Sequence, residues 1–284
     1  MEPSIDWKEP PETREKFLVV GAGESGSGFL ERIKKDTVES VEFFAARDLG
    51  EVTQARLGDA DMLFVIANME EEGDADIASA AAKRAKKMGR LTVGVVEMPD
   101  SGSSTARENA AKISESVDAL FTVASGETQG EDIGQIIFGI VDLANSAGRS
   151  IIAVDFADVR AALEDAKTAI FTVGAAEGEN RAAEAAEAAL KRVMLPLEAK
   201  AQRLILLFRI HGESRVTELQ EAALIIRDRL GCENSALIFG HIIDDKAGDS
   251  MRISILAAEF IPDISLSSTC FFPLQHSGQT RQTP

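Results

Sequence analysis

Apolar positions along this chain fall into short continuous runs separated by longer amphipathic stretches. Phe17–Gly21, Val41–Ala46, Asp61–Ala67, Leu91–Val96 and Ala119–Val123 are brief, apolar and bounded by turn residues, which predicts five buried strands. The intervening stretches read as helices. They are an amphipathic segment from Phe29 to about Lys35, the Ala- and Lys-rich Ile77–Met88 closed by Gly89, a helix opened at the capping-box pattern Thr105-Ala106-Arg107-Glu108, and a long helix over Asp132–Ala144. Strands alternating with helices predict a parallel sheet covered on both faces.

From about Ser150 the order changes. Ile151–Val154 predicts a strand and Asp155–Ala166 opens a helix. Then come strand Ala169–Gly174, helix Asn180–Val193, strand Arg203–Ile210, helix Val216–Leu230 stopped by Gly231, and strands Ala236–Ile243 and Met251–Phe260. No helix separates the last two, so this second unit has a mixed sheet with an antiparallel or crossover pair. Beyond it the chain is rich in Ser, Thr, Gln and Pro, and Phe271-Phe272-Pro273 lies in what reads as an unstructured tail.

Composition narrows the function classes. The 284 residues suggest about two domains. With 45% hydrophobic and 27% charged residues the chain is an ordinary globular sequence, not a disordered or fibrous one. Acidic residues outnumber basic ones 47 to 30, giving a formal charge of −17, so sequence-independent nucleic-acid binding is not expected. Cys232 and Cys270 form no disulfide framework or metal spacing. His211, His241 and His276 have no Cys or His neighbours at ligand spacing, so no metal site is expected. No apolar run approaches the ~18 residues of a membrane span, and the first residues lack a signal-peptide core. These features predict a cytoplasmic protein with no integral membrane segment.

The candidate chemistry starts at Gly21-Ala22-Gly23-Glu24-Ser25-Gly26, which follows a strand and precedes a helix. Ser27 and Gly28 extend the small-residue stretch. Such a turn lets backbone N–H groups approach a phosphate at a helix N-terminus. It fits a dinucleotide fold with Asp48 as the ribose acid, and it fits mononucleotide binding. It also fits a tight β–α turn without a ligand, made of glycine for geometry alone. Glu24, inside the turn, favours the last reading.

Three further motifs carry a resemblance. Val154-Asp155-Phe156-Ala157-Asp158-Val159, Gly178-Glu179-Asn180-Arg181-Ala182 with its following helix, and Ile238-Phe239-Gly240 followed by Ile243-Asp244-Asp245 and Gly248-Asp249 resemble, in spacing and order, motifs of FtsZ, the bacterial and archaeal relative of tubulin. The resemblance spans about Phe17–Phe260 and is densest over 150–260. It implies an α/β fold with a Rossmann-like parallel-sheet nucleotide-binding domain, a central helix and a smaller α/β second domain with a mixed sheet. The corresponding division is a mobile tail at 1–16, a GTPase-like domain at 17–131, a central helix and linker at 132–149, an FtsZ-like C-terminal domain at 150–260 and a flexible tail at 261–284. The resemblance also implies head-to-tail filaments. In these, Asp155 and Asp158 of one subunit would stand over the nucleotide of the next as the catalytic acids, suited to polarising a water or holding a cation in phosphoryl transfer. GTP would rest on Gly21, Gly23, Ser25, Gly26, Ser27 and Gly28, with Mg²⁺ as its companion ion and Asp132 reading the guanine. Asp155 as an N-cap and Asp158 as an acid at N3 is the alternative reading, compatible with the first.

The departures from the family concentrate at the nucleotide. Where FtsZ has a second glycine-rich phosphate loop, this chain has Met69-Glu70-Glu71-Glu72-Gly73-Asp74-Ala75-Asp76. Two like charges about 4 Å apart repel by ~4 kcal/mol at an effective dielectric near 20, whereas micromolar affinity is only about 8 kcal/mol. A shared Mg²⁺ would reverse the sign, and helix capping is the plainer account of these acids. The connection Arg47–Ala60 is short, Arg47 stands where the family has Asn, Ser103, Ser104 and Thr105 replace basic ribose-side residues, Thr128 stands nearest the aromatic stacking position, and Ala153 replaces the Asn before the acidic pair.

The preferred expectation is therefore an FtsZ-like cytoskeletal protein of cell division or membrane shaping. It would assemble into homo-oligomers or filaments, bind GTP weakly and hydrolyse it slowly. The first alternative is a nucleotide-free regulatory or scaffold paralogue that co-assembles with an active FtsZ. The second is an NAD-binding Rossmann oxidoreductase built on Gly21, Gly23, Gly26 and Asp48, for which no catalytic His, Lys or Tyr is placed; the chain has no tyrosine.

Overall fold

The structure is a computed structural model that describes residues 15–34, 38–99, 103–126, 129–146, 152–191, 193, 199–212, 214–232, 236–244 and 246–261. The first part runs β1 (Phe17–Ala22), α1 (Gly23–Ile33), β2 (Val41–Ala46), α2 (Gln54–Leu57), β3 (Met62–Asn68), α3 (Glu72–Lys87), β4 (Leu91–Met98), α4 (Ser104–Ser114), β5 (Ala119–Ala124) and α5 (Gln129–Ala144). There follow α6 (Phe156–Leu163), β6 (Lys167–Glu177), α7 (Arg181–Leu190), β7 (Lys200–Ile210), α8 (Val216–Arg229), β8 (Ala236–Ile243) and β9 (Ser250–Ile261). The expected α/β class holds.

All nine strands join one sheet in the order β2-β1-β3-β4-β5-β6-β9-β7-β8. From β2 to β6 the pairs are parallel. The link between β5 and β6 is two residue pairs long, Ala119 with Lys167 and Leu120 with Thr168. β9 then runs antiparallel to both β6 and β7, while β7 and β8 are parallel. The expected mixed second sheet is therefore a crossover: β9 passes β7 and inserts beside β6. Its composition suits a central place, since Met251, Ile253 and Ile255–Ala258 are fully buried, whereas β8 leaves Leu237, Phe239 and Ile243 exposed at the sheet edge.

Burial explains the rest of the layering. Strands β1, β3 and β4 are apolar on both faces because helices cover both. One core joins Phe64 and Phe121 of the first strands, Ile133 and Ile137 of α5, Val159 of α6, and Ile205 and Leu256 of the last sheet strands. Arg209 of β7 bonds Asp142 of α5 at 2.9 Å, tying the long helix to the second half of the sheet.

Four sequence readings need correction. Ile152–Val154 is not a strand. It is irregular chain held at its two ends: the His241 amide donates to the Ile152 carbonyl at 3.1 Å, and the Ser146 hydroxyl donates to the Val154 carbonyl at 2.6 Å and accepts from the Val154 amide at 3.3 Å. Helices α1 and α3 begin at Gly23 and Glu72, several residues before their apolar periodicity, because glycines and acids in a first turn carry no apolar signal. The cap of α4 is Ser103, whose hydroxyl accepts from the Ala106 amide, so Thr105 lies inside the helix rather than at its start. The short α2, capped by Thr53, went unseen in the sequence. Residues 1–14 and 262–284, which make up nearly all of both tails and include His276, lie outside the described residues, as does Thr128.

Candidate functional site

Strand order locates the crevice. In the sequence β2-β1-β3-β4-β5 the chain reverses direction of travel between β1 and β3, and in open parallel sheets ligands bind beyond the carboxyl ends of strands at such a switch point. Two loops meet there, the glycine turn after β1 and the acidic loop after β3.

Three of the glycines here answer to a close contact or a backbone angle. A Cβ on Gly21 would lie 2.4 Å from the Gly26 carbonyl oxygen, and one on Gly26 would lie 2.7 Å from the Ile66 carbonyl of β3, so both let α1 pack directly on the sheet. Gly23 has φ +67, the left-handed region that glycine adopts without strain. Ser27 donates its hydroxyl to the Gly23 carbonyl at 2.6 Å, a bond within the helix. Gly28 is exposed, with open space where a side chain would go.

Across the crevice the loop is held by amides. Asn68 donates its side-chain N–H to Glu97 at 2.9 Å and accepts from the Glu70 amide at 2.8 Å. Asn109 of α4 donates to the Met69 carbonyl at 2.9 Å. On this frame the five acids separate. Glu70, Glu71 and Glu72 are exposed, and Asp76 pairs with Lys112 of α4. Asp74 alone turns inward, to 6% exposure. Its Oδ1 lies only 1.6 Å from where a Cβ on Gly23 would be. Burial pushes the Asp74 carboxyl up to about 6, and the Glu71 charge adds to the shift. The backbone amide of Asn68, the Ser25 hydroxyl and the Gly26 amide pull the other way. Oδ2 is buried with no hydrogen-bond partner. The Asp74 carboxyl thus stands directly against the backbone of the glycine turn.

The acidic pair stands elsewhere. Asp155 caps α6 and accepts from the Asp158 amide at 3.0 Å, while Asp158 accepts from the Asp155 amide at 3.1 Å, a reciprocal capping box. Phe156 meets Phe17, the first residue of β1, edge to face at 6.2 Å. Arg160 reaches the Asp61 carbonyl just before β3. So α6 lies under the amino ends of the strands, and the glycine turn lies beyond their carboxyl ends. The six residues of β1 put about 20 Å between the two. One copy of the chain does not bring Asp155 and Asp158 to Gly21–Gly28.

Asp132 lies in the first turn of α5 at 5% exposure. A cleft of about 1550 Å³ opens beside that helix, lined by Arg32, Gln129, Asp142, Arg209 and Asp244 among others. A smaller groove of about 530 Å³ lies between β8 and α8. Neither takes in the glycine turn, Asp132, Asp155 or Asp158. The larger of these two cavities is therefore not where the candidate residues lie. Asp48 accepts from the Gly50 and Glu51 amides at 2.7 and 3.1 Å, the bonding of a local turn. His241 sits inside β8, its Nδ1 buried without a partner.

Three residues had no role of their own in the sequence. Asp74 was one acid among five, and nothing local marks it. Arg203 donates to the Ala161 and Glu164 carbonyls at 3.0 and 2.7 Å and pairs with Glu259, closing the end of α6. Arg181 bonds Glu218 twice, at 3.0 and 2.8 Å, and also Asp249 and Ser214, joining α7 to α8 and to the turn before β9.

Comparison with known proteins supplies the context for this geometry. Residues 167–261 match the model of the FtsZ family, C-terminal domain. An empty FtsZ dimer from M. jannaschii matches with a TM-score of 0.71 at 21% identity, over 87% of this chain and 89% of that one. A point mutant of M. jannaschii FtsZ gives 0.73 at 21% identity, over 90% and 95%. CetZ from Methanosaeta thermophila strain DSM 6194 gives 0.64 at 14% identity, over 87% of each.

Proposed function

We propose, because residues 167–261 match the C-terminal domain of the FtsZ family and 87–90% of the chain shares the fold of FtsZ and CetZ, that this is an FtsZ-like cytoskeletal protein that assembles head to tail, binds GTP weakly and turns it over slowly. The observation that carries the reading is the separation of its two half-sites. The glycine turn and the acids of α6 lie at opposite ends of the same parallel strands. A second copy stacked along the strand axis would bring Asp155 and Asp158 over the glycine turn of the first, whereas no bending of one chain would do so. Asp132, at the start of α5, is the residue assigned to the guanine, and Gly21, Gly23, Ser25, Gly26, Ser27 and Gly28 are the phosphate side. Mg²⁺ would fit between phosphate oxygens and the carboxylates of the arriving copy.

A second reading has its own support. Asp74 fills the anion seat, which suits a scaffold paralogue that co-assembles with an active FtsZ and needs no nucleotide of its own. Sedimentation velocity tests both. The first reading expects the purified chain to form species larger than a monomer as concentration rises, with Mg²⁺ and GTP shifting the distribution only modestly. The second expects a monomer that pellets only with polymer of an active FtsZ. A chain that stays monomeric throughout and never co-pellets sinks both.

A further inference from the structure

We propose that the Asp74 carboxyl is the built-in occupant of the anion seat at the N-terminus of α1, and that it decides the specificity of this site by excluding phosphate-bearing ligands. The proposal rests on the reading of the glycine turn as a weak nucleotide seat and goes beyond it by naming one residue as the cause of the weakness.

Several observations converge on Asp74. The first-turn N–H groups of a helix are unsatisfied within the helix and carry its positive end. Those of α1, an eleven-residue helix, have no side-chain cap of their own. Asp74 arrives from the facing helix and points at them, against the Gly23 backbone, with the Ser25 hydroxyl and Gly26 amide beside it. A carboxylate serving only the dipole of α3 would stay in water, as Glu72 does in the same first turn. Asp74 is instead desolvated, and one of its oxygens is left without a partner. Gly23 is what admits it, because any side chain there would collide with Oδ1. The other acids of the loop face solvent or Lys112, so they set the local field without occupying the seat.

A triphosphate entering this crevice meets a like charge in the place it needs and must displace it. Removing that one side chain clears the seat and gives up its contact with the Asn68 amide, while the side-chain bonds of Asn68 to Glu97 and the Glu70 amide and of Asn109 to the Met69 carbonyl remain to hold the loop.

The experiment is calorimetric titration of the full chain, and of its Asp74→Ala, Asp74→Asn and Glu70→Gln variants, with Mg²⁺-GTP and, separately, with inorganic pyrophosphate. Circular dichroism checks that each variant is folded. Asp74→Ala is expected to bind both probes at least about tenfold tighter than the wild type. Asp74→Asn, which keeps the volume and loses the charge, is expected to gain less. It also serves as the folded reference should the alanine variant leave a cavity that destabilises it. Glu70→Gln is expected to match the wild type. Three outcomes overturn the proposal: wild type that binds GTP with micromolar affinity, Asp74 variants no tighter than wild type, or Glu70→Gln gaining as much as Asp74→Ala, which would assign the effect to the general field. The assembly reading fails independently, by sedimentation, and a tighter Asp74→Ala variant of a chain that never assembles would keep this inference and discard that one.

Discussion

Asp74 and Asp118 are buried to similar extents, at 6% and 4% exposure, yet their neighbours send their charges in opposite directions. Burial alone would push Asp118 up, but the Lys86 ammonium at 2.7 Å and the Thr92 amide and hydroxyl at 2.8 Å hold it below the usual range. Asp74 has no cation, and burial together with Glu71 raises it to about 6. The two therefore act on stability with opposite signs. A carboxyl depressed in the fold stabilises above its unfolded value near 4, and that contribution is lost as pH falls through its lower folded value. A carboxyl raised in the fold contributes fully below about 4, and the contribution is lost as pH rises through about 6. Wild type is accordingly expected to gain stability relative to Asp74→Asn when pH is lowered from 7 to 5, by an amount bounded at roughly 3 kcal/mol for a shift of about two units. Melting temperature against pH reads this directly, and parallel curves for the two proteins would show that Asp74 is not raised.

At the scale of elements, α6 is where capping and assembly can be separated. Its first turn is closed by two carboxylates that bond each other's amides, and Arg203 closes its last turn. Asn caps a helix about as well as Asp, so Asp155→Asn should change stability by less than about 0.5 kcal/mol while removing a negative charge. If that carboxylate serves a neighbouring copy, GTP turnover per chain falls in Asp155→Asn with the melting temperature unchanged. Turnover and melting that fall together would assign the residue to the fold alone. Most elements were legible in the sequence because a buried parallel strand is a short apolar run and little else is. Their boundaries were not, since α1 starts on glycines and α3 on acids. The site was legible in part. The glycine turn and the capping pair are local patterns, and local patterns can be read. Asp74 acts on Gly23, which is distant in sequence and adjacent only after β1 and β3 pair. Ile152–Val154 misled for the converse reason: Val154 is buried beside β8 while Ile152 and Ala153 stay exposed, and the segment joins no ladder.

At the scale of the molecule, the two halves of the sheet touch through only two residue pairs between β5 and β6, yet one apolar core runs beneath the seam from Phe64 through Ile137 to Leu256. Backbone connectivity is thin where side-chain packing is continuous. Packing of this kind couples unfolding, so heating is expected to give one calorimetric transition whose enthalpy agrees with its van't Hoff value. Two resolved peaks would mean that the halves melt separately and that the seam, not the core, governs cooperativity.

The outer flank of β8 has a consequence of its own. Its amide at His241 is already taken by the Ile152 carbonyl, and a Cβ on Gly240 would strike that same segment. The opposite margin, β2, is six residues long and turns Glu42 outward. Among the described residues, the β8 border is thus covered in part and the β2 border is short, and both features weaken pairing with another backbone. Backbone pairing of another chain along β8 would therefore have to break the bond that His241 already makes to Ile152.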